Sequence, residues 1–279
     1  MTIGTMAIPC DWNNIAFNQV PHSSNQIHGD ELAAAYGFKG GLVPGVTVAS
    51  YLIHPAIEAW GKDWLVRGRA KVVVTKPLYH GESFSIACTE VSTLTYSAEL
   101  FNPQGLKCAY GDIALVDISP PPPVIRHDPL LADSFEKPPA IPDVMKELKT
   151  RGMLAYQVTW NAEHDMATYL EEKSEMPQLL NGEIDVFANP SFMLGVSNWV
   201  LANNVYMNPW IHLQTESQNF QAVKMGTDLI VECAIEDLFE KKGHEFVDVQ
   251  VNCFKKEDDS AVMSIKLRAI YKLRDMVSE

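Results

Sequence analysis

The sequence lacks the features that mark membrane-spanning or nucleic-acid-binding proteins. It contains no apolar run of about 18 residues, so no membrane-spanning helix is expected. Acidic residues outnumber basic ones by 35 to 22, and the net charge of −13 disfavours nonspecific binding to nucleic acid or to an anionic membrane. Residues 1–10 lack the basic and then apolar layout of a signal peptide, so we expect a cytoplasmic protein.

Cysteine is scarce, and its five positions form no recognisable motif. Cys10, Cys88, Cys108, Cys233 and Cys253 are too widely spaced for a zinc site or a redox pair. Four of them lie in segments with strand-like alternation, which predicts buried free thiols. The odd number favours a reducing compartment, and no metal site is predicted.

Proline is concentrated in one stretch, between Ile118 and about Arg151. Four consecutive prolines at 120–123 are followed by prolines at 129, 138, 139 and 142. This density argues against a regular helix or a central strand. We therefore predict a semi-extended linker over residues 119–150, joining similar-sized halves at 1–118 and 151–279.

The two halves resemble degenerate copies of one unit. Residues 45–60 and 190–206 both predict helices that are apolar nearly all round, as expected of helices enclosed by protein. Strand-like segments follow at 81–88 and 226–233. The helix starts differ by 190 − 45 = 145 and the strand starts by 226 − 81 = 145. Beyond this point the register slips, since the turn at 102–105 corresponds to 255–258, so the equal cysteine spacings are predicted to be coincidence.

Each copy predicts a strand, a long buried helix and then three or more antiparallel strands. Alternation of Phe84, Ile86 and Cys88 on one face is typical of such strands. A long helix wrapped by a curved antiparallel sheet is an α+β arrangement. Pro55 lies inside the first helix and predicts a kink or a restart there.

A polar loop just before the first long helix carries the candidate chemistry. It contains Asn25 and His28, and the helix begins at Gly45. A histidine suits proton transfer because its ordinary pKa is about 6.5. The free N–H of a helix start can stabilise a carbonyl oxygen that gains negative charge. The alternatives are that His28 only bonds to loop backbone and that Gly45 only allows close packing.

This order of elements and this loop resemble the hotdog fold and, within it, the MaoC-like type 2 enoyl-thioester hydratases. Their motif, Asp-x-Asn-Pro-hydrophobic-His-x-Asp, matches residues 23–30, followed by Gly-Phe at 37–38 and the helix start at 44–46. The resemblance implies a double hotdog chain with the site in the first repeat. Ser23 stands where the family has its catalytic aspartate, and Gln26 stands where it has proline.

The resemblance implies a catalytic set of four residues: His28, Asp30, Ser23 and Asn25. His28 would act as acid and base, while Asn25 would fix the loop or contact the ligand. Ser23 would orient a water, and a role as nucleophile is the weaker alternative. Asp30 is interpreted as the N-cap of a short helix that ends before Gly37, with a substitute catalytic carboxylate as the other possibility.

The resemblance also implies substrate-binding residues at Phe38, Pro44, Gly45 and Val46. A basic group after the first helix is a candidate for binding the phosphates of coenzyme A or of a carrier-protein arm, and consists of Arg67, Arg69, Lys71 and Lys76. A solvated strand edge explains these four equally well. Coenzyme A would be part of the substrate, and no separate cofactor is expected.

The second half shows no comparable loop. Its helix is preceded by Glu183 and Asp185 without a histidine at matching spacing, and His164 and His212 are isolated. We therefore expect structural roles for those two histidines, and we expect the second half to shape the acyl pocket in place of a dimer partner.

Three functions remain open. The first is addition or removal of water at the α,β bond of acyl-CoA or a carrier-bound acyl thioester. The second is thioester hydrolysis, isomerisation or cyclisation on the same scaffold, which the departure at Ser23 favours. The third is a noncatalytic acyl-CoA-binding protein, and a homodimer of double hotdog chains is compatible with each.

Overall fold

The computed structural model describes residues 7–182 and 186–274, so Glu183 and Asp185 lie outside the described residues. Within the described ranges the strands are β1 (Trp12–Ile15), β2 (Gly68–Val74), β3 (Ser83–Thr89), β4 (Thr95–Phe101), β5 (Lys107–Leu115), β6 (Tyr156–Thr159), β7 (Ile211–Asn219), β8 (Asp228–Lys241), β9 (His244–Lys255) and β10 (Ala261–Lys272). The α-helices are α1 (Asp30–Ala35), α2 (Gly45–Trp60), α3 (Lys62–Arg67), α4 (Pro142–Arg151), α5 (Gln178–Asn181) and α6 (Pro190–Asn204). Single 3₁₀ turns occur at Gln26–His28 and Lys173–Glu175.

The described strands form one antiparallel sheet in the order β1-β3-β4-β5-β2-β7-β10-β9-β8-β6. The halves meet at the β2–β7 pair, and each half has the same strand order from its edge to this centre. The predicted α+β fold of two like units is therefore confirmed.

The 145-residue register between the repeats is visible in individual hydrogen bonds. Val43 N donates to Leu78 O at 2.9 Å, and Ala188 N donates to Val223 O at 2.8 Å. Both residues of the second bond are 145 positions after those of the first. The segment that leads into each long helix is thus held to the sheet in the same way in both repeats.

The register slips later because the second repeat has a longer hairpin, with 14 residues in β8 against 7 in β3. Thr75 N donates to Cys108 O, whereas Phe220 N donates to Val262 O. Val262 is therefore the counterpart of Cys108, and the equal cysteine spacings are coincidence, as predicted. The five cysteines are free thiols; Cys10 is exposed, and three of the other four, which all lie in strands, are buried.

The long helices α2 and α6 are buried between the curved sheet and each other, and Thr47 Oγ1 lies 3.0 Å from Ser191 Oγ where they meet. α2 continues without interruption through Pro55, so the predicted restart is wrong. Proline removes the bond to the carbonyl four residues earlier, which here belongs to Tyr51. The indole N–H of Trp12 donates to that carbonyl at 3.1 Å and replaces the lost donor. No helix in 7–182 or 186–274 is long and apolar enough to cross a membrane.

The proline-rich stretch lies outside helices and strands from 116 to 141, but α4 occupies the last part of the predicted linker. The prediction that prolines exclude a helix is wrong there because Pro142 is the first helical residue, where its missing N–H costs nothing. The buried Glu232 carboxylate accepts hydrogen bonds from Arg126 N at 2.9 Å and Asp128 N at 3.0 Å. These bonds fasten the stretch across β8.

Candidate active site

A cavity of about 170 Å³ lies where the loop of the first repeat meets the start of β7. Its polar and glycine lining comes from both repeats and consists of Asn25, His28, Gly45, Thr75, Lys76, Asn198 and His212. Sites for drug-sized ligands measure about 300–1,000 Å³. The cavity therefore suits the reacting end of a ligand better than a whole coenzyme.

His28 is held in one tautomer by the backbone. Its Nδ1 lies 2.7 Å from the carbonyl oxygen of Leu42, which can only accept, so Nδ1 carries the proton. Burial lowers the pKa of His28 below its ordinary value, and the bond to Leu42 opposes this only in part. The ring is thus neutral at pH 7, and Nε2 keeps a lone pair that can accept a proton.

Asn25 connects the loop to the second repeat. Its amide nitrogen donates to Trp210 O at 3.0 Å, and its amide oxygen accepts from Trp210 N at 3.2 Å. The same nitrogen lies 3.5 Å from His28 Nε2. The histidine is therefore placed by contacts on both of its sides, one of which depends on a residue 185 positions away.

The start of α2 presents unpaired donors. The carbonyl of Pro44, the N-cap, accepts from Thr47 N and Val48 N, and no side chain caps the helix. The N–H groups of Gly45 and Val46 have no intrahelical partner, as is general for a first turn, and find no other partner among the described residues. A Cβ on Gly45 would lie 3.0 Å from Cβ and Cδ2 of His212, so a larger residue here would require the His212 side chain to shift by a few tenths of an ångström.

The second repeat contains a closed counterpart of this cavity, of about 20 Å³. Pro190 takes the place of Gly45 and has no N–H, and Met193 takes the place of Val48. The Asn189 side chain caps α6 by accepting from Phe192 N at 3.1 Å. The open cavity and the free helix start therefore occur together, in the first repeat.

The predicted acidic partner is not in the cavity wall, since the lining contains no Asp or Glu among the described residues. Ser23 Oγ donates to Asn25 O at 3.1 Å. Asp30 is the first residue of α1 and Gly29 is the N-cap, so the predicted capping role of Asp30 is wrong. Its carboxylate instead accepts from Gly41 N at 2.8 Å and closes the following loop. Ser23 and Asp30 line a wider, separate cavity of about 1000 Å³, which His28 also borders.

The predicted substrate-binding group is divided. Gly45 and Phe38 line the smaller cavity, whereas Val46 is buried in the core and neither it nor Pro44 belongs to the lining. The hydrophobic residues that enclose the rest of the cavity include Trp210, which sequence reasoning missed.

The four basic residues do not form one group. Arg67 donates to the Asp63 carboxylate at 3.2 Å, and Lys71 forms an ion pair with Glu216 at 2.8 Å. Arg69 and Lys71 alternate with buried residues of β2 and so lie on the outer face of the sheet, away from α2. Lys76, just after β2, is the member that lines the cavity.

Sequence reasoning missed Asn198 and treated His212 as structural. His212 Nδ1 lies 2.9 Å from Asn198 Oδ1, and its Nε2 lies 2.5 Å from Thr215 Oγ1. Burial lowers the pKa of His212 to about 3, so the ring is neutral. The 145-residue offset could have found Asn198, because it places this amide at the position of the aliphatic Ile53 in α2.

No protein-family model and no curated protein sequence matches the chain. Solved structures match over nearly the whole length. One is described as a MaoC-like dehydratase, with 10% identity, 96% of this chain and 99% of that chain covered, and a TM-score of 0.55. A conserved hypothetical protein of Mycobacterium tuberculosis with a double hotdog fold has 11% identity, coverage of 90% and 89%, and a TM-score of 0.54. A putative thioesterase from Novosphingobium aromaticivorans has 11% identity, coverage of 96% and 99%, and a TM-score of 0.53. At such identities the likeness identifies the fold, and this chain is a double hotdog protein with MaoC-like structural neighbours.

Proposed function

We propose that this protein removes water from, or adds it to, the α,β bond of an acyl thioester, carried by coenzyme A or by a carrier protein. One observation supports this most strongly. The lone pair of His28 Nε2 and the free N–H of Gly45 belong to residues that line the same small cavity. Proton transfer beside a carbonyl and stabilisation of the resulting enolate need these two groups together.

In the dehydration direction, His28 Nε2 removes a proton from the α-carbon of a 3-hydroxyacyl thioester. The negative charge moves to the thioester oxygen, which accepts a hydrogen bond from Gly45 N–H at the positive end of the α2 dipole. The imidazolium then returns the same proton to the β-hydroxyl group. That group leaves as water, and the α,β double bond forms. Hydration follows the same steps in reverse.

In this proposal a single base carries out both proton transfers, which the replacement of the family aspartate by Ser23 and the lack of a carboxylate in the described cavity lining support. His28 suits this because burial keeps its neutral form dominant at pH 7. One imidazole can reach the α-proton and the β-hydroxyl only if both lie on the same side of the substrate. The proposal therefore includes a syn elimination. Asn25 keeps the ring in place through Trp210.

The test uses 3-hydroxyacyl-CoA and 2-enoyl-CoA of increasing chain length, with the ultraviolet absorbance of the enoyl thioester as the signal. In His28→Asn, the new amide nitrogen replaces Nδ1 and keeps the bond to Leu42, but the base is lost. We expect kcat to fall by about 10²–10⁴ with an unchanged thermal unfolding midpoint. Full turnover in this variant would contradict the assigned role of His28.

Thioester hydrolysis is the second candidate, and the lack of a carboxylate in the described lining favours it. Here His28 would take a proton from a water that attacks the carbonyl carbon. Gly45 N–H would bind the tetrahedral oxyanion, and the thiolate would leave with the proton from His28. A thiol-reactive dye in the same samples separates the reactions. Thiol release without enoyl formation assigns hydrolysis, and acyl-CoA binding without either product assigns a noncatalytic binding protein.

A further inference from the structure

The second repeat contributes an amide to the cavity wall where the first repeat has an aliphatic side chain. Asn198 on α6 lines the open cavity of about 170 Å³. Its counterpart 145 residues earlier, Ile53 on α2, lines the closed cavity of about 20 Å³. The fold therefore accepts an apolar residue at this position, and packing alone gives no reason for an asparagine.

A chain of hydrogen bonds fixes which end of the Asn198 amide remains available. The neutral ring of His212 has one N–H, and this group at Nδ1 donates to Asn198 Oδ1 at 2.9 Å. Nε2 then accepts from the Thr215 hydroxyl at 2.5 Å. The oxygen of Asn198 is thereby occupied. Its amide nitrogen makes no hydrogen bond to the described part of the chain and is not among the fully enclosed unpaired atoms, so it is accessible to solvent on a residue that lines the cavity.

His212 also brings Asn198 and Gly45 to one place. The space beside the Gly45 Cα is filled by the His212 side chain, whose Cδ2 would lie 3.0 Å from a Cβ at that position. The His212 side chain thus lies against the start of α2, while its Nδ1 makes the hydrogen bond to Asn198 on α6. Gly45, His212 and Asn198 all line the same cavity.

We propose that Asn198 donates a second hydrogen bond to the thioester oxygen, beside that of Gly45 N–H, and that His212 is the positioning residue that holds its amide. The inference rests on the proposed function and names a donor supplied by the repeat that lacks a site of its own. Paired donors are the usual arrangement where an oxyanion develops, and two donors from different repeats explain why the open cavity lies at their junction.

The first test replaces Asn198 with the isoleucine of the other repeat. Removal of one oxyanion donor typically lowers kcat by about 10²–10³. We expect both Asn198→Ile and Asn198→Ala to show that loss, with similar KM values in the two variants. Both variants retaining the wild-type kcat would overturn the proposal. Thermal unfolding of the two variants identifies any loss that is due to misfolding.

The second test separates positioning from packing with a matched pair. In His212→Asn the amide nitrogen replaces Nδ1 and still donates to Asn198, whereas in His212→Gln it replaces Nε2 and leaves Asn198 without this partner. Both variants lose the imidazole ring that packs against Gly45. We expect kcat within a few-fold of wild type in His212→Asn and at least tenfold lower in His212→Gln. Equal losses in the two variants would overturn the positioning role.

A binding readout distinguishes failure of this inference from failure of the proposed function. Acetoacetyl-CoA forms an enolate with its own ultraviolet band, and donors at the thioester oxygen raise the enolate fraction of the bound form. If Asn198→Ile lowers that fraction while no thioester is turned over by wild type, the donor is supported and the proposed reaction is rejected. If His28-dependent turnover occurs and Asn198→Ile changes neither kcat nor the band, the inference fails and the proposed reaction stands.

Discussion

Replacement of Gly45 by proline isolates the contribution of the backbone donor at the start of α2. Proline removes the N–H, and the second repeat already has Pro190 at the corresponding position. The backbone accepts the change because Pro44 has ψ of 138°, the extended conformation required before a proline. Proline is also favoured at the first helical position, so α2 itself should be unaffected.

The matched control is Gly45→Ala, which adds the same Cβ but keeps the N–H. In both variants this atom would lie 3.0 Å from two carbons of His212, and that overlap should cost about 1–3 kcal/mol of folding stability. Only the proline variant also loses the donor to the thioester oxygen. A lost oxyanion donor is worth about 2.7–4 kcal/mol in the transition state, or about 10²–10³ in kcat.

The assay measures kcat at saturating thioester together with the urea midpoint of wild type and both variants. We expect similar midpoints for the two variants and a kcat at least a hundredfold lower in Gly45→Pro than in Gly45→Ala. Equal turnover in the two variants would refute the donor role and leave Gly45 as a packing residue against His212.

Three further predictions concern ionisation and the loop. His212 and His54 are buried and neutral, with pKa values of about 3 and about 4, so the unfolded state binds more protons than the folded state below pH 6.5 and stability falls as the pH drops. At about pH 5 each histidine should lower the free energy of unfolding by about 2 kcal/mol relative to neutral pH. In urea unfolding of His212→Asn and His54→Asn, the free energy of unfolding should depend less on pH than in wild type. For catalysis, the lowered pKa of His28 predicts a kcat/KM that stays flat through neutral pH and declines only below about pH 6.5; a half-point at or above that value would contradict it. Finally, Asp30→Ala should lower the unfolding free energy by about 1 kcal/mol because Gly41 N loses its acceptor, whereas Asp30→Asn should not; a stable but inactive Asp30→Asn would instead show that the charge is catalytic.

The fold was predictable because the duplication left a regular trace in the sequence. The 145-residue offset between the helix starts reappears as matching backbone bonds at Val43 and Ala188. The slip beyond it followed from turn residues alone. The uninterrupted helix at Pro55 was not predictable, because the donor that replaces the missing N–H is the side chain of Trp12, which lies in the separate strand β1.

The candidate site was predictable only where neighbouring residues determine it. His28 and the helix start at Gly45 follow from local sequence. The capping role assigned to Asp30 failed because Gly29 adopts the extended N-cap conformation and the distant Gly41 N–H takes the carboxylate. The basic residues of β2 could not be placed from the sequence, because alternation along this central strand sends Arg69 to the outer face of the sheet.

The two repeats differ at the starts of their long helices and in the cavities beside them. At the start of α6 two of the orphan donors are removed or satisfied, since Pro190 has no N–H and the Asn189 side chain accepts from Phe192 N. Met193 then fills the space that Val48 leaves open in the other repeat. These changes favour stability, because a capped helix start and a filled cavity each contribute to it. The N–H groups of Gly45 and Val46 at the start of α2 have no partner among the described residues and lie beside an open cavity, where water or a ligand can supply the acceptor. The first repeat therefore combines free donors with an open cavity, while the cavity of the second repeat is nearly filled and its residues Asn198 and His212 line the cavity of the first.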